Sequence, residues 1–363
     1  MTGYRSVRDL DWMMVVLALS ISGLGVLQIF SATHGTKWGS AWWKQTLYLA
    51  IGLGLMWLIS RVDYHTLLGQ VPLLYGVSVL LLVVVLLVGT KIFGSRRWIP
   101  LFGGFHFQVS EFAKLVIILL VARYLTSQKK DHLEGKDLLK LGGLVAIPML
   151  LIMRQPDLGT SLTYLPILAI GIFLAGLKLR HAVLIGTLAA GALVGGYNLL
   201  HDYQKARLES FLDPGHDPQG KGYQVIQSQI AIGAGGTWGR GMTQGTQTQG
   251  RFLPVPHTDF VFATFGEEHG FVGVLIALTL YFLLLLQIVQ NAQTAPDRPG
   301  MYICMGVASV LLFHVLVNVG MVAGQMPVTG IPLPLMSAGG SNTLSMFLML
   351  GLVNNVRLRR FVN

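Results

Sequence analysis

Apolar residues run along this chain in long, unbroken blocks rather than in the half-polar stripes of helices and strands that face water. A block of roughly 20 apolar residues is what a helix needs to cross a hydrocarbon layer about 30 Å thick. Segments 12–32, 43–60, 68–89, 110–127, 138–153, 158–177, 181–200, 260–290, 300–323 and 333–356 follow that pattern. They predict an all-α, polytopic integral membrane protein with about ten transmembrane helices. The turn Arg154-Gln155-Pro156-Asp157 separates the fifth segment from the sixth. The 260–290 segment is too long for one span and carries Glu267-Glu268-His269-Gly270, so it divides into a short interfacial piece, 259–269, and a true span after it. The first block exceeds a signal-peptide core and has no small-residue cleavage site, so it reads as a retained span.

Charge then sets the expected orientation. Arg5 and Arg8, Arg61, the basic stretch from Arg123 through Lys129 and Lys130 to Lys140, Lys178, Arg180, Arg298 and the tail Arg357, Arg359 and Arg360 all fall on the side where the chain starts. Cytoplasmic loops carry the Lys/Arg excess, so both termini are expected in the cytoplasm. The 201–258 segment, rich in Gly, Gln, Thr and Pro with little apolar periodicity, becomes one long extracytoplasmic loop. Composition agrees: 53% of residues are hydrophobic and only 12% charged, against about a quarter charged in a soluble domain. The net charge of +10 is scattered between apolar blocks, which excludes a nucleic-acid-binding patch. The single cysteine, Cys304, lies inside an apolar run and reads as a packing residue. Without repeats or a separate soluble stretch, residues 1–363 form one transmembrane domain.

Few residues are placed to carry chemistry. Asp259, in Pro254-Val255-Pro256-His257-Thr258-Asp259-Phe260, stands where a polar loop meets an apolar helix. There a carboxylate either caps the helix N-terminus or, partly desolvated, works as a general base. Glu111 and Lys114 are three residues apart on one helix face, as an ion pair or as a functional site at membrane depth. Arg96, Arg97, Lys205, Arg207 and Arg240 are surface charges or anion ligands. Trp98 is an interfacial anchor or a stacking platform. Asp157 reads first as the cap of the helix after it. The glycine-rich Gly233–Gly241 stretch lacks the strand and lysine of a nucleotide loop. Ser337-Ala338-Gly339-Gly340-Ser341 opens the last helix with small residues that permit close packing.

Taken together the motifs resemble the SEDS (shape, elongation, division and sporulation) family of peptidoglycan polymerases. The resemblance rests on Arg97-Trp98-Ile99, Ser110-Glu111-Phe112-Ala113-Lys114, Gln155-Pro156-Asp157-Leu158-Gly159-Thr160-Ser161, and Gly222-Tyr223-Gln224 through to Ala231-Ile232-Gly233. It continues in Phe252-Leu253-Pro254, His257-Thr258-Asp259-Phe260, Pro327–Pro334, Ser337 and Gly339-Gly340-Ser341. Gly245-Thr246-Gln247 is similar to the elongation branch, with the division branch as the near alternative. Val109, His269 and Ala338 depart from the usual family residues, and none of the three removes a charged group.

The resemblance implies a glycosyltransferase that polymerises lipid II outside the cytoplasmic membrane of a bacterium and releases undecaprenyl pyrophosphate during cell elongation. Inversion at the donor sugar requires one general base, and Asp259 is the candidate. The candidate substrate-binding set is Lys114, Glu111, Arg207, Trp98, Arg97, Asp157, His257, Thr258, Ser337 and Ser341. A divalent cation, Mg or Mn, would suit the diphosphate, although no carboxylate cluster specifies one. The implied partners are a class B penicillin-binding protein and other membrane proteins of the elongation machinery. The rival readings are a lipid II flippase and a noncatalytic cell-wall scaffold.

Overall fold

The structure, a computed structural model, describes residues 9–92, 95–100, 105–128, 133–196, 202–213, 215, 220 and 222–360. Arg5, Arg8, Lys129, Lys130 and His201 lie outside them. Each apolar segment contains a helix: α1 (Trp12–Thr33), α2 (Ala41–Arg61), α3 (Tyr64–Gly69), α4 (Val71–Val88), α5 (Val109–Ser127), α6 (Gly135–Arg154), α7 (Leu158–Leu162), α8 (Tyr164–Leu174) and α9 (Leu179–Gly196). After the long connection come α13 (Val261–Gln293), α14 (Arg298–Val322) and α15 (Gly340–Arg359). Four of these, α1, α4, α13 and α14, are individually long and apolar enough to cross a membrane. Their outer faces are as apolar as their inner ones. On α4, Leu73, Leu80 and Leu87 form an exposed stripe at seven-residue spacing, which suits an apolar surrounding rather than water.

The centre of the bundle is α15, buried along most of its length against α2. Gly351 makes the approach possible, since a Cβ there would sit 2.4 Å from Ile59 and 2.8 Å from the Met56 carbonyl. Small residues let helix backbones close where no hydrophobic effect drives them together. At the end of the bundle opposite the site described below, Asp11 caps α1. It also accepts hydrogen bonds from Gln287 and Asn291 and pairs with Arg357 at 3.0 Å. One buried carboxylate thereby ties α1, α13 and α15.

The all-α expectation needs one correction. Between α4 and α5 the chain forms a small antiparallel sheet of β1 (Thr90–Ile92), β2 (Ser95–Pro100) and β3 (His106–Phe107), in that order. This stretch is too short and too polar to span lipid, and its backbone groups are met by pairing with each other. The 201–258 loop is also not irregular. It holds α10 (Asp202–Leu212), α11 (Tyr223–Gly235) and α12 (Thr246–Gln249). In α11 the buried stripe is Val225, Ser228, Ala231 and Gly235; its spacing is helical, but its residues are too small and polar for hydropathy to register.

The last predicted segment begins too early. Residues 327–339 are extended and turn-like, and α15 starts only at Gly340. Pro327, Pro332 and Pro334 forbid a helix there. Yet the segment is buried: Ile331, Leu333, Leu335 and Met336 are each at most 2% exposed. α1 presses against it at Gly25, where a Cβ would stand 2.6 Å from Met336 backbone atoms.

The division of α13 holds as expected. Gly270 breaks the helical path with φ 63°, and a Cβ on it would lie 2.3 Å from the Gly239 amide nitrogen. Gly270→Ala therefore combines a left-handed backbone with a clash against main chain. It should destabilise the protein by about 2 kcal/mol or more. A clear drop in the melting temperature of the detergent-purified protein is the expected result, and an unchanged melt would show that the kink relaxes.

Candidate active site

The site is built where α13 begins. Asp259 lies two residues before it, and the N-cap position belongs to Phe260, which makes no side-chain cap bond. The capping alternative for Asp259 therefore does not hold. Its carboxylate is partly buried and faces Gly330, whose absent Cβ would be 3.4 Å from Oδ2. Gly330 also has φ +72°, so glycine there provides both the turn and the room. Burial pushes the Asp259 carboxyl above the ordinary aspartate range. Arg207 and then Arg97 oppose that rise, Asp157 adds to it, and a hydrogen bond with Thr258 also holds it down. Two cations and a second carboxylate thus act electrostatically on the candidate base.

Each neighbour is placed by its own element. Arg207, on α10, donates to the Thr329 carbonyl at 3.0 Å. Arg97, on β2, donates to the Pro156 carbonyl and pairs with Asp157 at 3.5 Å. Asp157 caps α7 by accepting from the Thr160 amide at 3.1 Å, the role its position suggested, and accepts from Gln108 as well. Gly159 lets α7 close on the 327–337 segment, since a Cβ would meet the Thr329 carbonyl at 2.7 Å. Trp98 is partly buried, with the Arg97 guanidinium 5.9 Å from its ring centre.

His257 and Thr258 also serve through their backbones. The His257 carbonyl accepts from the Ala338 amide at 2.9 Å, and the Thr258 carbonyl accepts from the Ser337 hydroxyl at 2.7 Å. The His257 ring packs on Trp38, centroids 5.6 Å apart, and burial pushes its pKa down. Ser341 links β3 to α15: its hydroxyl donates to the His106 carbonyl and accepts from the Gln108 amide, both at 3.0 Å. Both serines are staples between segments rather than exposed hydroxyls.

Glu111 and Lys114 stand apart from this group. Lys114 is 0% and Glu111 2% exposed, and Lys114 Nζ is 2.9 Å from Glu111 Oε2 and 3.3 Å from His314 Nε2. Ser345 donates to Glu111 as well. The ammonium is enclosed by protein partners, which gives no surface for a diphosphate. The Gly233–Gly241 stretch is the end of α11 followed by a turn that pairs with the Glu267 and Glu268 carbonyls, not a phosphate cradle. Gly239 packs on the Glu268 carbonyl, and the Arg240 side chain donates to the Ala234 carbonyl. Among the described residues no cluster of three His, Cys, Asp or Glu side chains has metal-binding geometry.

Sequence reading missed His314 and Asn318 on α14, Gln45 on α2 and Glu267 on α13, all wholly or nearly buried. The signal was present. His314 and Asn318 are polar residues four apart in an apolar run, on one helix face inside a membrane protein. Glu267 accepts from Thr246, from the amides of Gln247 and Thr248, and from the Thr248 hydroxyl, so it shapes the chain leading to the site.

Comparison with known proteins places this arrangement. Residues 10–360 match the FtsW/RodA/SpoVE family model, described as cell cycle protein. The peptidoglycan glycosyltransferase MrdB of Escherichia coli (strain K12) is 38% identical over 97% of this chain and 94% of its own. The peptidoglycan glycosyltransferase RodA of Treponema pallidum (strain Nichols) is 32% identical over 98% and 99%. A chain from a peptidoglycan synthase complex, solved for the structural coordination of polymerization and crosslinking, superposes with a TM-score of 0.83 at 37% identity over 98% and 99% of the two chains. The crystal structure of the rod shape determining protein RodA of Thermus thermophilus gives a TM-score of 0.72 at 32% identity over 97% and 98%.

The buried pair yields a stability prediction. Lys114→Met leaves Glu111 enclosed without its cation and should destabilise the protein by about 3–5 kcal/mol. Glu111→Leu combined with Lys114→Met removes both charges and should recover most of the loss in a detergent melt. Equal melts for the single and double variants would show that the two charges do not depend on each other.

Proposed function

We propose a function on the premise that this chain belongs to the FtsW/RodA/SpoVE family of cell cycle proteins. The chain is a multi-pass helical membrane protein and a peptidoglycan glycosyltransferase of cell-wall synthesis. Its place is cell elongation in the bacterial cytoplasmic membrane, with both termini inside and the Asp259 end of the bundle outside, as the charge bias favours. The substrate is lipid II and the leaving group undecaprenyl pyrophosphate. The partner is a class B penicillin-binding protein that crosslinks the strands, a reading supported by the neighbour from a synthase complex.

One observation carries the mechanism: a partly desolvated carboxylate, Asp259, feels the charge of two guanidinium groups, those of Arg207 and Arg97. Asp259 accepts the proton of the acceptor sugar's 4-hydroxyl as that oxygen attacks the donor's anomeric carbon. The anomeric C–O bond breaks on the opposite face, and its electron pair leaves on the diphosphate. Arg207 and Arg97 lie where they stabilise that charge as it develops. Burial raises the base's affinity for the proton it must accept, while the cations keep enough of it ionised to start. Asp157 fixes Arg97, and Trp98 lines the approach. His257, Thr258 and Ser337 hold the loop that presents Asp259, and Ser341 ties β3 to α15.

Asp259→Asn keeps the shape and removes the base. Polymerisation of labelled lipid II by the purified protein, with its penicillin-binding partner, should fall about 10²–10⁴-fold. Near-normal polymer from folded Asp259→Asn would sink the assignment. The wild-type rate should be lost as pH falls through the raised Asp259 pKa, above the usual aspartate value of about 4. Arg207→Gln removes the main influence that lowers that pKa. It should move the acid limb of kcat/KM to higher pH, and a limb that stays put or moves down would separate it from Asp259.

A further inference from the structure

His257 and Thr258 are held through their own carbonyls, and the backbone of Asp259 itself has a further holder. The backbone of that region is held from α14. Asn318, 0% exposed, uses both hydrogens of its amide: Nδ2 donates to the Asp259 carbonyl at 2.9 Å and to the Ile331 carbonyl at 2.8 Å. Its Oδ1 is buried with no hydrogen-bond partner among the described residues. An unmet buried acceptor costs about 1–3 kcal/mol, so this side chain is placed there for its donors.

One turn earlier on the same face, His314 Nδ1 lies 3.1 Å from the Pro332 carbonyl. A carbonyl only accepts, so Nδ1 carries the proton and Nε2 presents its lone pair to Lys114, 3.3 Å away. Lys114 in turn is held by Glu111. The carbonyls of residues 331 and 332, on the segment that carries Gly330, are therefore set by adjacent rungs of one helix. The Asp259 backbone hangs from the second rung.

We infer that His314 and Asn318 are positioning residues for the glycosyl transfer, fixing Asp259 against Gly330 and the 331–332 backbone, with the Glu111–Lys114 pair locking His314 in the tautomer that does so. The inference rests on the reading of Asp259 as the base. Neither side chain touches substrate; both act by where they hold the carboxylate. A displacement of about 1 Å in a reacting group is worth about 10²-fold in rate.

The two ring nitrogens of His314 can be tested separately. An asparagine places its amide nitrogen near the position of Nδ1, while a glutamine reaches the position of Nε2. His314→Asn keeps the donor to Pro332 and gives up Lys114; His314→Gln does the reverse. In lipid II polymerisation by the purified full chain with its penicillin-binding partner, Asn318→Leu and His314→Gln should lower kcat about 10²-fold. KM should stay within about twofold, the pattern of an interaction felt only in the transition state. His314→Asn should retain most of the turnover. A merely structural role would reduce the yield and melting temperature of folded protein while leaving turnover per folded molecule unchanged. Folded Asn318→Leu with wild-type kcat would overturn the inference. So would His314→Gln outperforming His314→Asn, which would assign the histidine to the lysine instead of the loop. If Asn318→Leu does not fold, the His314 pair decides alone. Asp259→Asn, run in parallel, separates the two questions: activity there removes the base, whereas its inactivity beside a normal Asn318→Leu removes only the positioning.

Discussion

The structure depends on a stretch of irregular backbone buried inside a helical bundle, and on finding partners for its carbonyl groups. Residues 327–337 have neither lipid nor helix to satisfy them, and an unmet backbone group at such depth costs several kcal/mol. The donors come from all around. Arg207 of α10 reaches the Thr329 carbonyl, Asn318 and His314 of α14 reach those of Ile331 and Pro332, Tyr281 of α13 reaches Pro334, and Gln45 of α2 reaches Ser337. Three prolines, Pro327, Pro332 and Pro334, remove amide hydrogens that would otherwise need acceptors. Polar residues inside apolar helices are costly, and here Gln45, Tyr281, His314 and Asn318 are explained by the carbonyls they serve.

The same constraint gives the Glu111–Lys114 pair its sense. A buried ion pair is weak evidence of stability, because desolvation offsets most of the attraction. What it does well is define one arrangement. Lys114, held by Glu111, requires a lone pair from His314, and that requirement points the other ring nitrogen's proton at Pro332. An apolar pair of equal volume would fill the space and leave the histidine free to turn over. The charges sit on α5 and act on the segment beside Asp259, with a helix between them.

Much of this was legible in the sequence, for reasons that also explain what was not. Long apolar blocks gave the helices, and Gly270 with Glu267-Glu268 gave the break in α13, because both are local properties of the chain. Asp157 as a cap followed from its place before Leu158-Gly159-Thr160. Asp259 as a cap did not survive, since helix propensity is silent on whether a chain enters its helix at residue 260 or 261. The strands were hidden because pairing is a relation between segments, and α11 because only Val225 in its buried stripe is large and apolar, beside Ser228, Ala231 and Gly235. Arg207 and Arg97 were named as cations, but only the fold brings β2, α10 and the start of α13 to one carboxylate. Asn318 looks like an ordinary polar interruption until Asp259 and Ile331 are seen on either side of its amide.

A proline-rich segment without an internal ladder cannot keep its own shape, so its conformation is a function of where the surrounding helices stand. The segment before Asp259 is built on the same plan. There Glu267 of α13 takes donors from Thr246, Gln247 and Thr248, and Ser31 of α1 accepts from the Thr243 amide and the Gln249 side chain. Both approaches to the carboxylate are thus held by side chains from the helices in addition to their own local turns. Such a site is only as exact as the packing of the bundle. Helix packing is tight here at glycines, with Gly25 of α1 on Met336, Gly159 of α7 on Thr329 and Gly351 of α15 on α2, each closer than any side chain would allow. Close-packed contacts of that kind respond to strain by switching arrangement rather than by yielding gradually. The glycines that close the helices and the amides that hold the loop are two parts of one device: the first fixes the distances between helices, and the second converts those distances into the position of Asp259.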